Sequence, residues 1–269
     1  MNMEITSNCV PSVGLLLLVL LGLSQALSDI EEVPDDEDSV DITTAILSTN
    51  NASDENLFEG DLLFPTNRNL MMCWSGNRCR WPKSSNGQVV IPYVINNVFS
   101  SFEKDKIKRA LQDFHTKTCI RFTPRVREYD YISLESRQGC YSAVGKSGGR
   151  QVVSLQKNGC MHKGIIQHEL CHALGFQHEQ TRSDRDQYIK IHWNNIASNM
   201  AHNFQKHRTI NQETPYDYSS VMHYGKYAFA RVRNQPTLTP YPDRSVPIGQ
   251  RQAMSQWDIT RINRAYSCN

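Results

Sequence analysis

Residues 168–179 read His168-Glu169-Leu170-Cys171-His172-Ala173-Leu174-Gly175-Phe176-Gln177-His178-Glu179. His168 and His172 are four apart, which on an α-helix sets them about 6 Å apart along the axis and ~40° around it, on one face. Two imidazole nitrogens so placed can converge on one Zn²⁺ at about 2.0–2.1 Å. Glu169 stands beside the first, where its carboxylate can reach a metal-bound water without ligating the metal. Gly175 can take a backbone conformation closed to most residues, ending the helix and turning the chain back. That return lets His178 supply a third ligand and leaves a position for water, the arrangement of a catalytic zinc rather than a structural one. The bland alternative, a helix with two surface histidines and a Gly stop, loses ground because Gly175 and His178 both stand in register with the five-residue core.

The motif runs on through Glu179 into Thr-Arg-Ser-Asp-Arg-Asp (181–186), and Ser220-Val221-Met222-His223-Tyr224 follows further along. In these segments the chain resembles the metzincin metalloproteases and, among them, the astacin family, over everything from about residue 58 onward. Cys73-Trp74, Ser84-Ser85-Asn86-Gly87, Thr118-Cys119-Ile120-Arg121-Phe122, Pro215-Tyr216-Asp217-Tyr218-Ser219-Ser220 and Pro247-Ile248-Gly249-Gln250-Arg251 are similar to the choriolytic astacins, the hatching enzymes of fish. The resemblance implies one Zn²⁺ per chain on His168, His172 and His178, with Glu169 as the general base. It places Met222 beneath the metal as the Met-turn, and makes Tyr224 a group that stabilises the reaction intermediate. Alone, Met222 would read as core filler and Tyr224 as a half-buried aromatic.

Residues 13–23 form an apolar run too short to span a membrane, and Ser24 and Ala26 have the small-residue spacing of a signal-peptidase site. A signal peptide over 1–26 is expected. The net charge of +2 hides an asymmetry: twelve Asp/Glu against one Arg between Asp29 and Arg68, then twenty-eight Lys/Arg against fourteen Asp/Glu to the C-terminus. An acidic stretch ahead of a basic domain reads as a propeptide, 27–68, its first part disordered, followed by a protease domain, 69–269. Asn51-Ala52-Ser53 is a glycosylation sequon.

Phe58-Glu59-Gly60-Asp61 resembles the astacin zymogen motif. The resemblance implies that Asp61 ligates the zinc and displaces the catalytic water, and a carboxylate oxygen is a competent ligand. Cleavage by a trypsin-like activator is expected after Arg68. Astacins bury the new N-terminus near the Glu that follows the third histidine, so the Asn69 ammonium would meet Glu179.

Of the eight cysteines, Cys9 leaves with the signal peptide. Six allow fifteen connectivities, among which the sequence does not choose. The resemblance implies Cys73–Cys79, Cys119–Cys268 and Cys140–Cys160. Cys171 departs from the family pattern. Helical rotation places it about 300° from His168 and about 100° from His172, pointing away from the metal, as a small buried hydrophobe.

The expected fold is α+β, a two-lobed metzincin-like (zincin-like) protease. Its N-terminal sheet-and-helix lobe holds a strand over 88–95, where Pro92 suggests an edge or bulge. A helix begins at a Ser100/Glu103 capping box and runs to about Lys117 with Ile107, Ala110, Leu111 and Phe114 on one face. Further strands are expected over 129–134 and 151–155, then the active-site helix over 164–174 and an irregular C-terminal lobe.

The function this implies is a secreted zinc endopeptidase, exported directly or through secretory granules. Its substrate is expected to be a protein, an egg-envelope glycoprotein on the subgroup resemblance, and the basic domain would concentrate an anionic one. A monomer without nucleic-acid partner or membrane anchor is expected. The alternatives are a tissue astacin with another extracellular substrate, or a catalytically silent zinc protein that binds matrix, against which the intact Glu169 and histidines stand.

Overall fold

The computed structural model describes residues 40–63 and 79–268. The expected signal peptide, the first part of the propeptide, Arg68, Asn69 and Cys73 lie outside these residues. The described residues all belong to one compact unit, so residues 40–63 of the acidic stretch pack with the protease.

The central feature is a seven-stranded mixed sheet. Its strands are β1 (Leu57–Phe58), β2 (Leu62–Leu63), β3 (Val89–Ile95), β4 (Ile120–Pro124), β5 (Tyr131–Glu135), β6 (Cys140–Ser142) and β7 (Arg150–Leu155), in the spatial order β1-β2-β6-β7-β5-β3-β4. β4, β3, β5 and β7 run parallel, and β6 is antiparallel to β7. β2 then adds to β6 in parallel, Leu62 opposite Ser142.

β3 is an interior strand, not the edge its proline suggests. Asn96, just past β3, donates to Leu134 O, so by alternation the amide sides of positions 94 and 92 also turn toward β5, whose ladder starts only at Tyr93↔Ile132. Pro92 therefore lacks its N–H where no ladder bond is required of it.

α2 (Ser101–Lys117) carries the full capping box at Ser100 and Glu103 and buries Ile107, Ala110, Leu111 and Phe114. Behind it lies α3 (Lys163–Ala173), buried at every residue from Gly164 to Ala173. Such a helix must have its polar groups matched internally. Gln167 meets this by donating to Asp113 Oδ2 at 2.9 Å and accepting from Met254 N at 2.8 Å. Cys171 is buried and unbridged inside the same core. Burial, then the nearby Asp258 carboxylate, pushes its thiol well above the usual range, in line with an unreactive hydrophobe.

The C-terminal lobe is less irregular than expected. It contains a two-stranded sheet, β8 (Ile189–Ile191) with β9 (Leu238–Pro240), packed round Phe204, Tyr216 and Tyr224. It ends in α4 (Gln256–Ala265), whose own capping box pairs Ser255 with Asp258. Cys119–Cys268 ties that end to the sheet across 149 residues, and Cys140–Cys160 closes a 20-residue loop. Closing the longer loop removes about 5 kcal/mol of unfolded-state entropy on the chain-entropy model. Cys79 is disulfide-bonded as well. No helix of the described residues is long and apolar enough to cross a membrane.

An additional helix, α1 (Ile42–Asn50), lies in the acidic stretch, with Asp41 as N-cap and Ile42, Ala45 and Ile46 buried. Gly225 N donates to Thr43 Oγ1 at 2.8 Å, and a Cβ at Gly225 would stand 2.0 Å from Asp41 Oδ1. Only glycine admits α1 there.

Candidate metal centre and active site

α3 ends in a Schellman turn. Phe176 N donates to Cys171 O and Gly175 N to His172 O, with Gly175 at φ +101°. This turn also orients a ring, since His172 Nδ1–H donates to Phe176 O at 2.8 Å. His168 Nδ1–H donates to Val221 O of the Ser220–Met222 segment at 2.8 Å. His178 Nδ1–H donates to Glu59 Oε2 at 2.7 Å. With each Nδ1 engaged, the three Nε2 atoms are left to face one another, His168 and His172 at 3.0 Å.

Asp61 closes the cluster. Its Oδ2 lies 2.9 Å from His168 Nε2 and 3.2 Å from His178 Nε2, while its Oδ1 is 3.7 Å from His172 Nε2. Four candidate ligand atoms thus lie within 4.8 Å of one another, all buried. Burial alone would raise the Asp61 carboxyl, but the facing imidazoles, His178 foremost, hold it well below the usual range. Burial likewise lowers His178, yet the carboxylates on its two nitrogens outweigh this and hold it up at about 9. A ring between two carboxylates favours a cation, proton or metal. His172 lacks such flanking and is lowered by burial to about 4, the neutral form a metal requires.

Asp61 is presented by a tight turn. Phe58–Asp61 closes with Asp61 N donating to Phe58 O at 3.3 Å, and Glu59 and Gly60 take φ of +49° and +88°. Two successive positive φ values mark a type I′ hairpin turn. Asn50, the last residue of α1, braces it. Its Nδ2 donates to Gly60 O at 2.8 Å and Cys140 O at 2.7 Å, and Cys140 N donates to its Oδ1 at 2.6 Å.

Both carboxylate oxygens of Glu169 are buried without a hydrogen-bond partner. Burial first, and then the Asp61 charge, push its carboxyl well above the usual range. Tyr224 packs its ring against that of His178, centroids 4.7 Å apart and tilted by 55°, and its hydroxyl donates to the Glu59 carbonyl. Met222 is buried in the core under α3, and its carbonyl accepts from Glu179 N at 3.0 Å.

The geometry has the form of a metallopeptidase site, and the comparisons agree. The family model for Astacin, a peptidase family, matches residues 76–267. The chain belongs to the astacin family. It is 55% identical to high choriolytic enzyme 1 of Oryzias latipes over 97% of this chain and 99% of that one. Low choriolytic enzyme of the same fish is 49% identical over 95% and 97%. Astacin-like metalloendopeptidase of Gallus gallus is 45% identical over 87% of this chain and 57% of its own length. The solved structure of the medaka enzyme, described as a hatching enzyme zinc-protease, superposes with a TM-score of 0.71 at 57% identity, covering 73% of this chain and 98% of that one. The chain is accordingly a metalloendopeptidase of the astacin type.

The residues present suit the zinc that the astacin family implies. Facing imidazole lone pairs repel one another unless a cation lies between them, and Glu169 is an orphaned carboxylate in the same space. The donor set, three nitrogens and a carboxylate oxygen, is one Zn²⁺ accepts.

Glu179 is deeply engaged. Arg261 reaches it bidentately at 2.6 and 2.9 Å, Arg182 Nη1 at 3.1 Å and Asp217 N at 2.8 Å. Burial raises its carboxyl to about 7 against the pull of Arg261 and Arg182. Asn50 and Glu59 carry no role of their own in the sequence, and His207, which reads there as a structural or surface residue, bonds Glu59 Oε1. Glu59 lies inside the quoted motif, and its signal was simply its place between Phe58 and Gly60.

Proposed function

We propose that this astacin is a secreted, zinc-dependent endopeptidase made as a zymogen, and that it digests egg-envelope (chorion) glycoproteins at hatching. One observation carries the zymogen reading: a carboxylate of the acidic stretch, Asp61, sits against all three ligand histidines beside the unpaired Glu169. The substrate rests on near full-length similarity to enzymes named for chorion lysis. On this reading 1–26 is the signal peptide, 27–68 the propeptide and 69–269 the protease.

His168, His172 and His178 would hold one Zn²⁺, which supplies Lewis acidity and lowers the pKa of bound water toward about 7. Val221 O and Phe176 O fix the first two rings by accepting from their Nδ1–H groups, so that Nε2 points inward. Glu169 takes the proton of the attacking water and passes it to the leaving amine. Tyr224, released from the Glu59 carbonyl, donates its hydroxyl to the oxyanion. While the propeptide is in place, Asp61 occupies the reactive position and β2 covers the β6 edge, where an extended substrate would add as a strand. A trypsin-like cut after Arg68 would lift this block, and the new Asn69 ammonium would join the two guanidiniums on Glu179.

The test is to incubate isolated egg envelopes with protein cut at Arg68. Chelator-sensitive release of soluble glycopeptides is expected. Intact envelopes beside efficient cleavage of casein would overturn the hatching substrate and leave a tissue role.

A further inference from the structure

Glu59 uses every polar group it has on the catalytic domain. Its Oε2 accepts from His178 Nδ1–H at 2.7 Å and its Oε1 bonds His207 Nε2. Its N–H donates to Asn203 Oδ1 at 2.9 Å, and its carbonyl accepts from Tyr224. The side chain is fully buried. It achieves this at φ +49°, a left-handed conformation that non-glycine residues rarely adopt and that surrounding contacts must offset. Phe58 beside it stacks on His202, ring centroids 6.0 Å apart.

The other two ligand histidines rest on backbone carbonyls of the protease itself. His178 alone has its Nδ1 partner supplied from the acidic stretch, and that partner is a carboxylate. A carboxylate on the far nitrogen fixes the ring and raises its basicity as a ligand. We propose that Glu59 completes the metal site of the uncut protein: the propeptide orients His178 for Zn²⁺, so that its loss on activation loosens the metal as well as exposing it. This gives the propeptide a role in metal loading separate from the blocking role of Asp61. The carboxylate of Glu59 faces His207 and His178, with Asp61 on the opposite side of the His178 ring.

The inference rests on the zinc-endopeptidase reading, and its test separates the two. Zinc-loaded, uncut full-length protein is mixed with a chromophoric chelator, and zinc release is followed for wild type, Glu59→Ala and Glu59→Gln, with far-UV circular dichroism as the folding control. Glu59→Ala is expected to release zinc about 10- to 100-fold faster than wild type, the usual cost of losing such a partner. Glu59→Gln keeps an acceptor but loses the charge and should fall between. After cutting at Arg68 and removal of the propeptide, all forms should release zinc at one rate, faster than uncut wild type, because residue 59 is gone. Release from both uncut Glu59 variants within about twofold of wild type would overturn the proposal. Should Glu59→Ala not fold, Glu59→Gln decides alone, on the same twofold limit. If no form retains zinc, the metalloprotease reading fails instead.

Discussion

Asn50 offers a clean perturbation of the block, because it lies far from the chemistry in sequence and is absent from the cut enzyme. Its side-chain amide makes three hydrogen bonds, to Gly60 O at 2.8 Å, to Cys140 O at 2.7 Å and from Cys140 N at 2.6 Å. The amide copies the pairing a neighbouring strand would give Cys140 and ties it to the turn that presents Asp61. Each net bond is worth about 1 kcal/mol in a half-buried setting, so Asn50→Ala should cost the docked state about 2–3 kcal/mol. At 1.36 kcal/mol per decade, the undocked fraction rises about 30- to 150-fold. The assay is the basal rate of uncut protein on a quenched fluorescent peptide, wild type against Asn50→Ala, with the cut enzymes as control. The uncut variant should leak by that factor, and the two cut enzymes should be indistinguishable. A leak within about threefold of wild type, from a protein with unchanged melting, would refute the idea that Asn50 braces the block.

Other perturbations probe separate parts of the mechanism. Glu169→Gln should bind one zinc per chain and lose at least about 10³-fold in kcat, checked by metal analysis beside single-turnover kinetics; near-normal turnover would remove Glu169 as the base. Tyr224→Phe in the cut enzyme should lower kcat about 100-fold with KM nearly unchanged, as expected of a group that acts only on the oxyanion. His223 is lowered to about 4, by burial first, and accepts from the Tyr216 hydroxyl at 2.8 Å. A folded pKa below the unfolded value of about 6.5 gives stability that is present above pH 6.5 and lost as pH falls toward 4, in total about 3 kcal/mol. Unfolding measured from pH 7.5 to 4.5 should therefore show wild type losing ground to His223→Phe, and parallel curves would contradict it.

The parts of the fold legible in sequence are those with strong local signals. The capping box and apolar face of α2 mark that helix almost to the residue. The active-site helix and its Gly175 stop follow from histidine spacing and one glycine. Elsewhere long-range contacts decide. α1 carries apolar residues at 42, 45 and 46, a helical spacing, but the surrounding acidic run hides it, and its stability comes from docking beside Gly225 and Gly249. Pro92 argues locally for an edge, whereas its interior position depends on where the β5 ladder begins. The α4 capping box has a readable pattern, yet the role of Asp258 in holding Ser220 and Val221 exists only once the C-terminus folds back under α3. Glu59 is the same kind of case. Its residue type fits a solvated acidic tail, and only the turn at positive φ brings it to His178.

The central claim is a zinc endopeptidase held latent by its own acidic segment. Its most direct test is the digestion of a broad peptide library by protein cut at Arg68 and by uncut protein, each with and without phenanthroline. Cleavage is expected from the cut form alone, abolished by the chelator and restored by added zinc. Equal activity of the uncut form, or cleavage that survives chelation, would contradict it.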